Sequence, residues 1–262
     1  MSKEEPHMSD PFQSFRLDGK VAIVTGASSG IGAQTTKLFS SVGATVVAAA
    51  RRIDRLEQLA SETKNVVPCA CDVTEDDDCE NLVKTTFEQF GKIDILINNA
   101  GISDPIPAID EDLEEFRRVI QIDLVACFYL AQLSARIMRE QDTGGSIVNV
   151  ASVHGLVGSA PNNQPGYTSA KGGLVNLTRE LALEWARFGI RVNALAPGYV
   201  TTELTDEMIA GDSGRKWIER NTPMRRPASV NELDGAMLLL ASEAGSYITG
   251  ETIAVDGGWL AR

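Results

Sequence analysis

Tyr167 and Lys171 stand four residues apart in the stretch Tyr167-Thr168-Ser169-Ala170-Lys171, and Ser152 lies fifteen residues upstream. On a helix, residues four apart share a face. An ammonium beside a phenol favours the phenolate. The pair is therefore suited to exchange a proton near neutral pH, which a lone tyrosine, with a pKa of about 10, does poorly. A serine hydroxyl nearby can hold a carbonyl or alcohol oxygen. Far upstream, the first apolar run ends in Thr25-Gly26-Ala27-Ser28-Ser29-Gly30-Ile31-Gly32. Glycines there permit a tight turn and close backbone approach, and the helix start that follows can face a pyrophosphate. A dinucleotide turn and a proton-exchanging tyrosine together suit hydride transfer. The glycine spacing is G-x-x-x-G-x-G, at Gly26, Gly30 and Gly32, which differs from the G-x-G-x-x-G fingerprint. No Lys-Ser/Thr follows the last glycine, so the turn is not an ATPase-type phosphate loop.

Those residues need a scaffold, and the hydrophobic pattern predicts one. Short apolar runs fall at Val21–Thr25, Thr45–Ala49, Val66–Cys71, Ile93–Ile97, Ile147–Val150, Val192–Ala196 and Thr252–Val255. Each has strand length and is apolar on successive residues, as in parallel strands buried on both faces. Helical patterns intervene at Ile31–Ser41, Asp76–Phe90 and Leu113–Arg139, and the longest uninterrupted one is Tyr167–Phe188. This alternation predicts an α/β fold of Rossmann type, a doubly wound, seven-stranded parallel sheet with helices on both faces. Residues 1–15, polar and acidic with Pro6 and Pro11, read as a flexible N-terminal tail, and 16–262 as a single domain. Residues 199–227 break the alternation after a strand end and are expected to form a substrate lid.

The elements occur in one order: the glycine turn, Cys71-Asp72-Val73, Asn98-Asn99-Ala100-Gly101, Ser152, Tyr167/Lys171, Pro197-Gly198, and Tyr247-Ile248-Thr249-Gly250 ahead of Asp256-Gly257-Gly258. In this order the chain, from about Leu17 onward, resembles the short-chain dehydrogenase/reductase family, in particular its 3-oxoacyl-carrier-protein-reductase-like members. The resemblance implies that Tyr167 is the general acid in reduction and the base in oxidation. It implies that Lys171 lowers the tyrosine pKa and bonds the nicotinamide ribose, and that Ser152 positions the substrate oxygen. The family usually carries an asparagine where this chain has Asp123, in Ile120-Gln121-Ile122-Asp123-Leu124. There the backbone carbonyl supports a water that relays protons to the lysine. Asp123 is taken as a fourth catalytic member, with a carboxylate that lacks amide donors and can add negative charge near Lys171.

The cofactor reading turns on the end of the second strand. NAD enzymes usually place an Asp or Glu there for the ribose. This chain has Ala48-Ala49-Ala50-Arg51-Arg52 and no carboxylate before Asp54. By family position Arg51 lies where a 2′-phosphate would, with Arg52 adjacent, and a planar guanidinium suits bidentate phosphate binding. NADP(H) is therefore expected, with NAD(H) less so. Ser28 and Ser29 can add hydroxyl contacts. By the same resemblance Asp72 binds the adenine amine and Val73 offers its backbone, although Asp72 could instead cap the following helix. Asn99, Ala100 and Gly101 line the nucleotide cleft, and Pro197, Gly198, Val200 and Thr202 enclose the nicotinamide.

The implied activity is an NADP(H)-dependent interconversion of a ketone and a secondary alcohol. A 3-oxoacyl-thioester reductase and an NAD-dependent sugar or polyol dehydrogenase share these motifs. A non-catalytic dinucleotide-binding regulator would typically have lost the tyrosine or lysine. The net charge of −12 argues against nucleic-acid or anionic-membrane binding. No apolar run approaches the ~20 residues that span a bilayer, and no secretory signal is expected. Cys69, Cys71, Cys79 and Cys127 lack metal spacing and only His7 and His154 could assist, so neither a disulfide nor a metal is expected. His154 and the stretch Pro161–Pro165 could wall the substrate pocket. Cytoplasmic location and a homotetramer, paired through the helix ending at Phe188 and the run Ile248–Leu260 with Trp259, complete the expectations.

Overall fold

The computed structural model describes residues 10, 12–103 and 105–262. Most of the expected N-terminal tail thus lies outside the described residues, while Gln13–Phe15 form a 3-10 turn. Seven strands build one parallel sheet: β1 (Val21–Thr25), β2 (Thr45–Ala50), β3 (Val66–Ala70), β4 (Ile95–Asn98), β5 (Gly145–Val150), β6 (Ile190–Pro197) and β7 (Thr252–Val255). Their order is β3-β2-β1-β4-β5-β6-β7, and every adjacent pair is parallel. This is the doubly wound sheet that the sequence predicts, including all seven strand positions. The chain reverses its direction of travel between β1 and β4. In such sheets ligands bind outside the strand C-termini at that point.

Alternate residues of each strand serve opposite faces. Ala22 and Val24 join a core with Phe39 of α1 (Gly30–Ser41), Leu56 of α2 (Ile53–Glu62) and Leu240 of α9 (Asp234–Ala241). Ile23 faces the other way, toward Leu82 of α3 (Asp76–Phe90), Leu130 of α5 (Ala126–Glu140) and Leu181 of α6 (Pro165–Trp185). Both faces are therefore closed by helices, and this accounts for the continuous apolar runs of the strands.

Two helices carry the chemistry. The first begins as α4 (Leu113–Ile120), capped by the Asp112 carboxylate, which accepts from the Glu114 N–H. It passes through a π-turn at Gln121–Val125, where the Ala126 N–H reaches the Gln121 carbonyl, and continues as α5. By length and composition Leu113–Glu140 is the one helix among the described residues apolar enough to cross a membrane. In the fold it packs on α3 and α6, and 44% of its most apolar window is buried. The second is α6, whose buried residues Ala170, Leu174, Thr178 and Ala182 recur every fourth position.

A chain of buried polar groups locks these helices to the sheet. The Asn98 amide on β4 donates to the Cys127 carbonyl of α5 and to the Asn149 side-chain oxygen on β5, each at 2.9 Å. The Asn149 amide donates to Thr178 Oγ1 on α6 at 2.9 Å, and Thr178 donates to the Leu174 carbonyl. Beyond β6, residues 199–227 leave the sheet and return. Their neck is closed by the Val200–Ala228 bridge, with the Thr201 N–H on the Ala228 carbonyl and the Ala228 N–H on the Tyr199 carbonyl. Two helices fill this excursion, α7 (Asp206–Ala210) and α8 (Asp212–Asn221).

Candidate active site

A cleft of about 310 Å³ opens at the C-terminal ends of the strands. Every residue expected at the site lines it except Gly32, which supports it from behind. Gly26 has φ +64°, and a Cβ on Gly32 would lie 2.5 Å from the Gly26 carbonyl oxygen, so only glycine lets α1 start this close to the turn. Thr25 fastens the turn to the next strand end. Its hydroxyl oxygen accepts the N–H groups of Asn99 and Ala100 at 3.0 Å, and the Asn99 amide donates to the Thr25 carbonyl at 2.8 Å. The backbone-lined cradle, with α1 beginning at its rim, suits a pyrophosphate.

Arg51 and Arg52 differ in their engagement. Arg51 is 69% exposed and, among the described residues, meets only the Asp72 carboxylate, at 3.9 Å. Arg52 is held by four contacts: its guanidinium donates to Ser28 Oγ at 3.2 and 2.9 Å, to Ser29 Oγ at 3.0 Å and to Glu203 Oε2 at 3.0 Å. Glu203 also bonds Arg55 of α2. Hydrogen bonds from Arg55 and Arg52 hold the Glu203 carboxyl down at about 2. Asp72 does not cap α3. It forms an Asx turn, accepting the Thr74 N–H at 3.0 Å and the Thr74 hydroxyl at 2.8 Å.

At the other end of the cleft Ser152, Tyr167 and Lys171 converge. Ser152 follows β5 and caps a 3-10 turn, Val153–Gly155, accepting the His154 N–H at 3.1 Å. A Cβ on Gly155 would lie 2.6 Å from the Lys171 carbonyl oxygen, so this glycine lets the turn press against α6 and brings the serine to the tyrosine. The Lys171 ammonium sits 5.6 Å from the Tyr167 ring centre and donates to the Val150 carbonyl at 2.9 Å.

The Asp123 side chain, rather than its backbone, meets Lys171. Its Oδ2 lies 3.1 Å from Lys171 Nζ, with both side chains buried, and its Oδ1 accepts the Ile102 N–H at 2.9 Å. The π-turn holds the carboxylate there, and at Gly101 a Cβ would stand 3.0 Å from Oδ2. Burial opposes the ammonium of Lys171, but the Asp123 carboxylate, with Tyr167 and Cys127 adding to it, raises its pKa above the ordinary lysine range. Burial raises the Tyr167 pKa, Lys171 acts to lower it, and Asp123 partly cancels the effect of Lys171.

His154 does not face the cleft. It is buried beneath the excursion, with Nε2 3.1 Å from the Tyr199 hydroxyl, in an aromatic cluster with Trp217 of α8 and Trp259. Trp259 is 6% exposed and packs into its own subunit under the Arg262 guanidinium, so its ring is not free to pair with a second copy. Among the described residues no group of three or more His, Cys, Asp or Glu could hold a metal. Thr25, Asn149, Thr178 and Glu203 also shape the site. A polar residue within an apolar strand run is the sequence signal for Asn149, whereas no local pattern marks Glu203.

A family model described as enoyl-(acyl carrier protein) reductase matches residues 26–260. The 3-oxoacyl-[acyl-carrier-protein] reductase of Thermotoga maritima is 37% identical over 247 residues, 93% of this chain and 98% of its own. The gluconate 5-dehydrogenase of Gluconobacter oxydans is 39% identical over 260 residues, 96% and 98% respectively. Among solved structures, a short-chain type dehydrogenase/reductase from Mycobacterium marinum superposes with a TM-score of 0.92 at 37% identity, covering 95% of this chain and 98% of that one. A gluconate 5-dehydrogenase from Burkholderia cenocepacia, in complex with NADP and tartrate, gives 0.91 at 32% identity over 97% and 100%. The chain belongs to the short-chain dehydrogenase/reductase family, enzymes that act on alcohol and ketone groups.

Removing one member of a buried ion pair strands the other. Lys171→Met should lower the unfolding free energy by about 3–5 kcal/mol near pH 7. In that variant Asp123, raised by burial and without its partner, binds its proton more tightly folded than unfolded. The deficit should therefore grow as pH rises through the carboxylate range and shrink below about pH 4, the unfolded value. Urea unfolding at the two pH values measures it, and an equal loss at both would show that the pair is not the cause.

Proposed function

We propose that the chain is an NADP(H)-dependent oxidoreductase interconverting a ketone and a secondary alcohol, with Ser152, Tyr167 and Lys171 as its catalytic residues and Asp123 as their electrostatic partner. The observation that carries this reading is the convergence of Tyr167, Lys171 and Ser152 in the same cleft as the glycine turn. NADP(H) over NAD(H) is supported by Arg51 and Arg52 at the end of β2 and by the NADP named in the Burkholderia structure. The cradle at Gly26–Gly32 would hold the pyrophosphate, and Lys171 the nicotinamide ribose. Asp72, Val73, Asn99 and Ala100 would line the adenosine half, and Pro197, Gly198, Val200 and Thr202 the nicotinamide.

When bound, the nicotinamide supplies or accepts the hydride. Tyr167 donates its phenolic proton to the substrate oxygen in reduction and takes it back in oxidation. The Ser152 hydroxyl holds that oxygen beside the phenol. Lys171, fixed by Val150 and Asp123, favours the phenolate when the proton leaves. Residues 199–227 act as the lid over the cleft within the single 16–262 domain. Relatives named as gluconate and polyol dehydrogenases favour a hydroxylated substrate, while the Thermotoga reductase keeps an acyl thioester in view. An NAD-dependent sugar or polyol dehydrogenase is the second reading. The acidic chain and its four free thiols fit a cytoplasmic enzyme without nucleic-acid or membrane partners. A homotetramer is supported by apolar side chains left exposed on α5 and α6, Phe128 at 38% and Leu183 at 81%.

The test is turnover of ketones, keto-sugars and acetoacetyl thioesters with NADPH and NADH in parallel. Tyr167→Phe should retain less than a few per cent of wild-type kcat while still binding cofactor. Larger residual activity would exclude Tyr167 as the proton donor.

Asp123 should tune the same proton. In alcohol oxidation the acid limb of the pH–rate profile reports loss of the Tyr167 proton. Asp123→Asn removes a negative charge that opposes the phenolate, so the limb should move to lower pH by about one unit. The plateau kcat should stay within about tenfold, a barrier change of ~1.4 kcal/mol. An unmoved limb would make the carboxylate purely structural.

Sedimentation equilibrium at micromolar protein should give a tetramer, and Leu183→Glu should reduce the assembly. A wild-type monomer would overturn the oligomer reading.

A further inference from the structure

We propose that Glu203, carried by the segment after β6, is a cofactor-specificity residue that competes with the ribose 2′-phosphate for Arg52 and Arg55. The inference rests on the NADP(H) reading above. Glu203 comes from a segment about 150 residues away from the arginines it binds. It lies in the same cleft wall as Ser28, Ser29, Arg51 and Arg52. Its carboxylate occupies the donors that a phosphate would need: Arg52 gives Glu203 one nitrogen and the two serine hydroxyls the rest, and Arg55 gives Glu203 another.

Charge balance defines the competition. Three guanidiniums, Arg51, Arg52 and Arg55, face two carboxylates, Asp72 and Glu203, leaving one net positive charge for an incoming dianion. A phosphate presents three acceptor oxygens and more negative charge than a carboxylate, so it can displace Glu203 from the fork. Arg51, mostly exposed and only loosely paired, is free to make the first contact. The 2′-hydroxyl of NAD(H) carries no charge and cannot displace the carboxylate, so Glu203 stays in place for that cofactor. Glu203 therefore weakens NADP(H) binding selectively and sets the margin between the two cofactors.

Both partners of each pair are roughly half exposed, so the competition is modest and salt-dependent. The test is isothermal titration calorimetry of the full-length protein with NADP⁺ and NAD⁺ at low and high ionic strength. Glu203→Gln should tighten NADP⁺ about three- to tenfold and leave NAD⁺ within about twofold. Glu203→Asp, which keeps the charge, should stay closer to wild type than Glu203→Gln does. Added salt should narrow the difference between wild type and Glu203→Gln. Unchanged or weaker NADP⁺ binding by Glu203→Gln, with wild-type preference for NADP⁺ intact, would overturn the competition and make Glu203 a support for the arginines. A wild-type protein that binds NAD⁺ as tightly as NADP⁺ would instead overturn the cofactor reading beneath it.

Discussion

A buried ammonium is the constraint to which the site is built. Lys171 is nearly inaccessible to water, and an uncompensated charge in that position costs several kcal/mol. Two partners from separate elements meet the demand: the Val150 carbonyl at the end of β5 and the Asp123 carboxylate at the π-turn. Each must arrive at hydrogen-bonding distance together. The end of a strand, a widened helical turn and the first turns of α6 are thus fixed relative to one another by a single cation. Because Asp123 answers the charge directly, the phenol beside it sees a nearly neutral pair rather than a bare cation.

The Asn98–Asn149–Thr178 chain makes that convergence reproducible. Buried amides without partners are costly, so each link specifies one arrangement of β4, β5, α5 and α6. Apolar packing alone would tolerate small slides of α6 along the sheet. The polar links do not, and the register of α6 is what points Tyr167 and Lys171 into the cleft.

Much of this was legible in the sequence. Strands that are apolar on every residue announce a sheet covered on both faces, and their ends locate the cleft because ligands gather at the C-termini of parallel strands. Spacing alone placed Tyr167 over Lys171, since one helix carries both. What escaped depends on contacts between distant segments. The burial of Tyr167, which acts on its pKa against Lys171, cannot be read from a four-residue spacing. Trp259, expected at a contact between subunits, packs against Tyr199 and Trp217 of its own chain. Glu203 lies in a stretch without periodicity, and its partners on α2 lie across the cleft. The departure at Asp123 was visible, but the direct side-chain contact required the widened helical turn that delivers it.

The aromatic cluster beneath the excursion gives the molecule an internal optical label. Of its three tryptophans, Trp217 rides on α8 and Trp259 anchors the chain end, with ring centres 5.3 Å apart, while Trp185 lies elsewhere on α6. Any shift of α8 against the body of the protein must change the contact between two indoles and the tyrosine between them. Intrinsic emission and near-ultraviolet dichroism therefore report the position of that helix without any added probe.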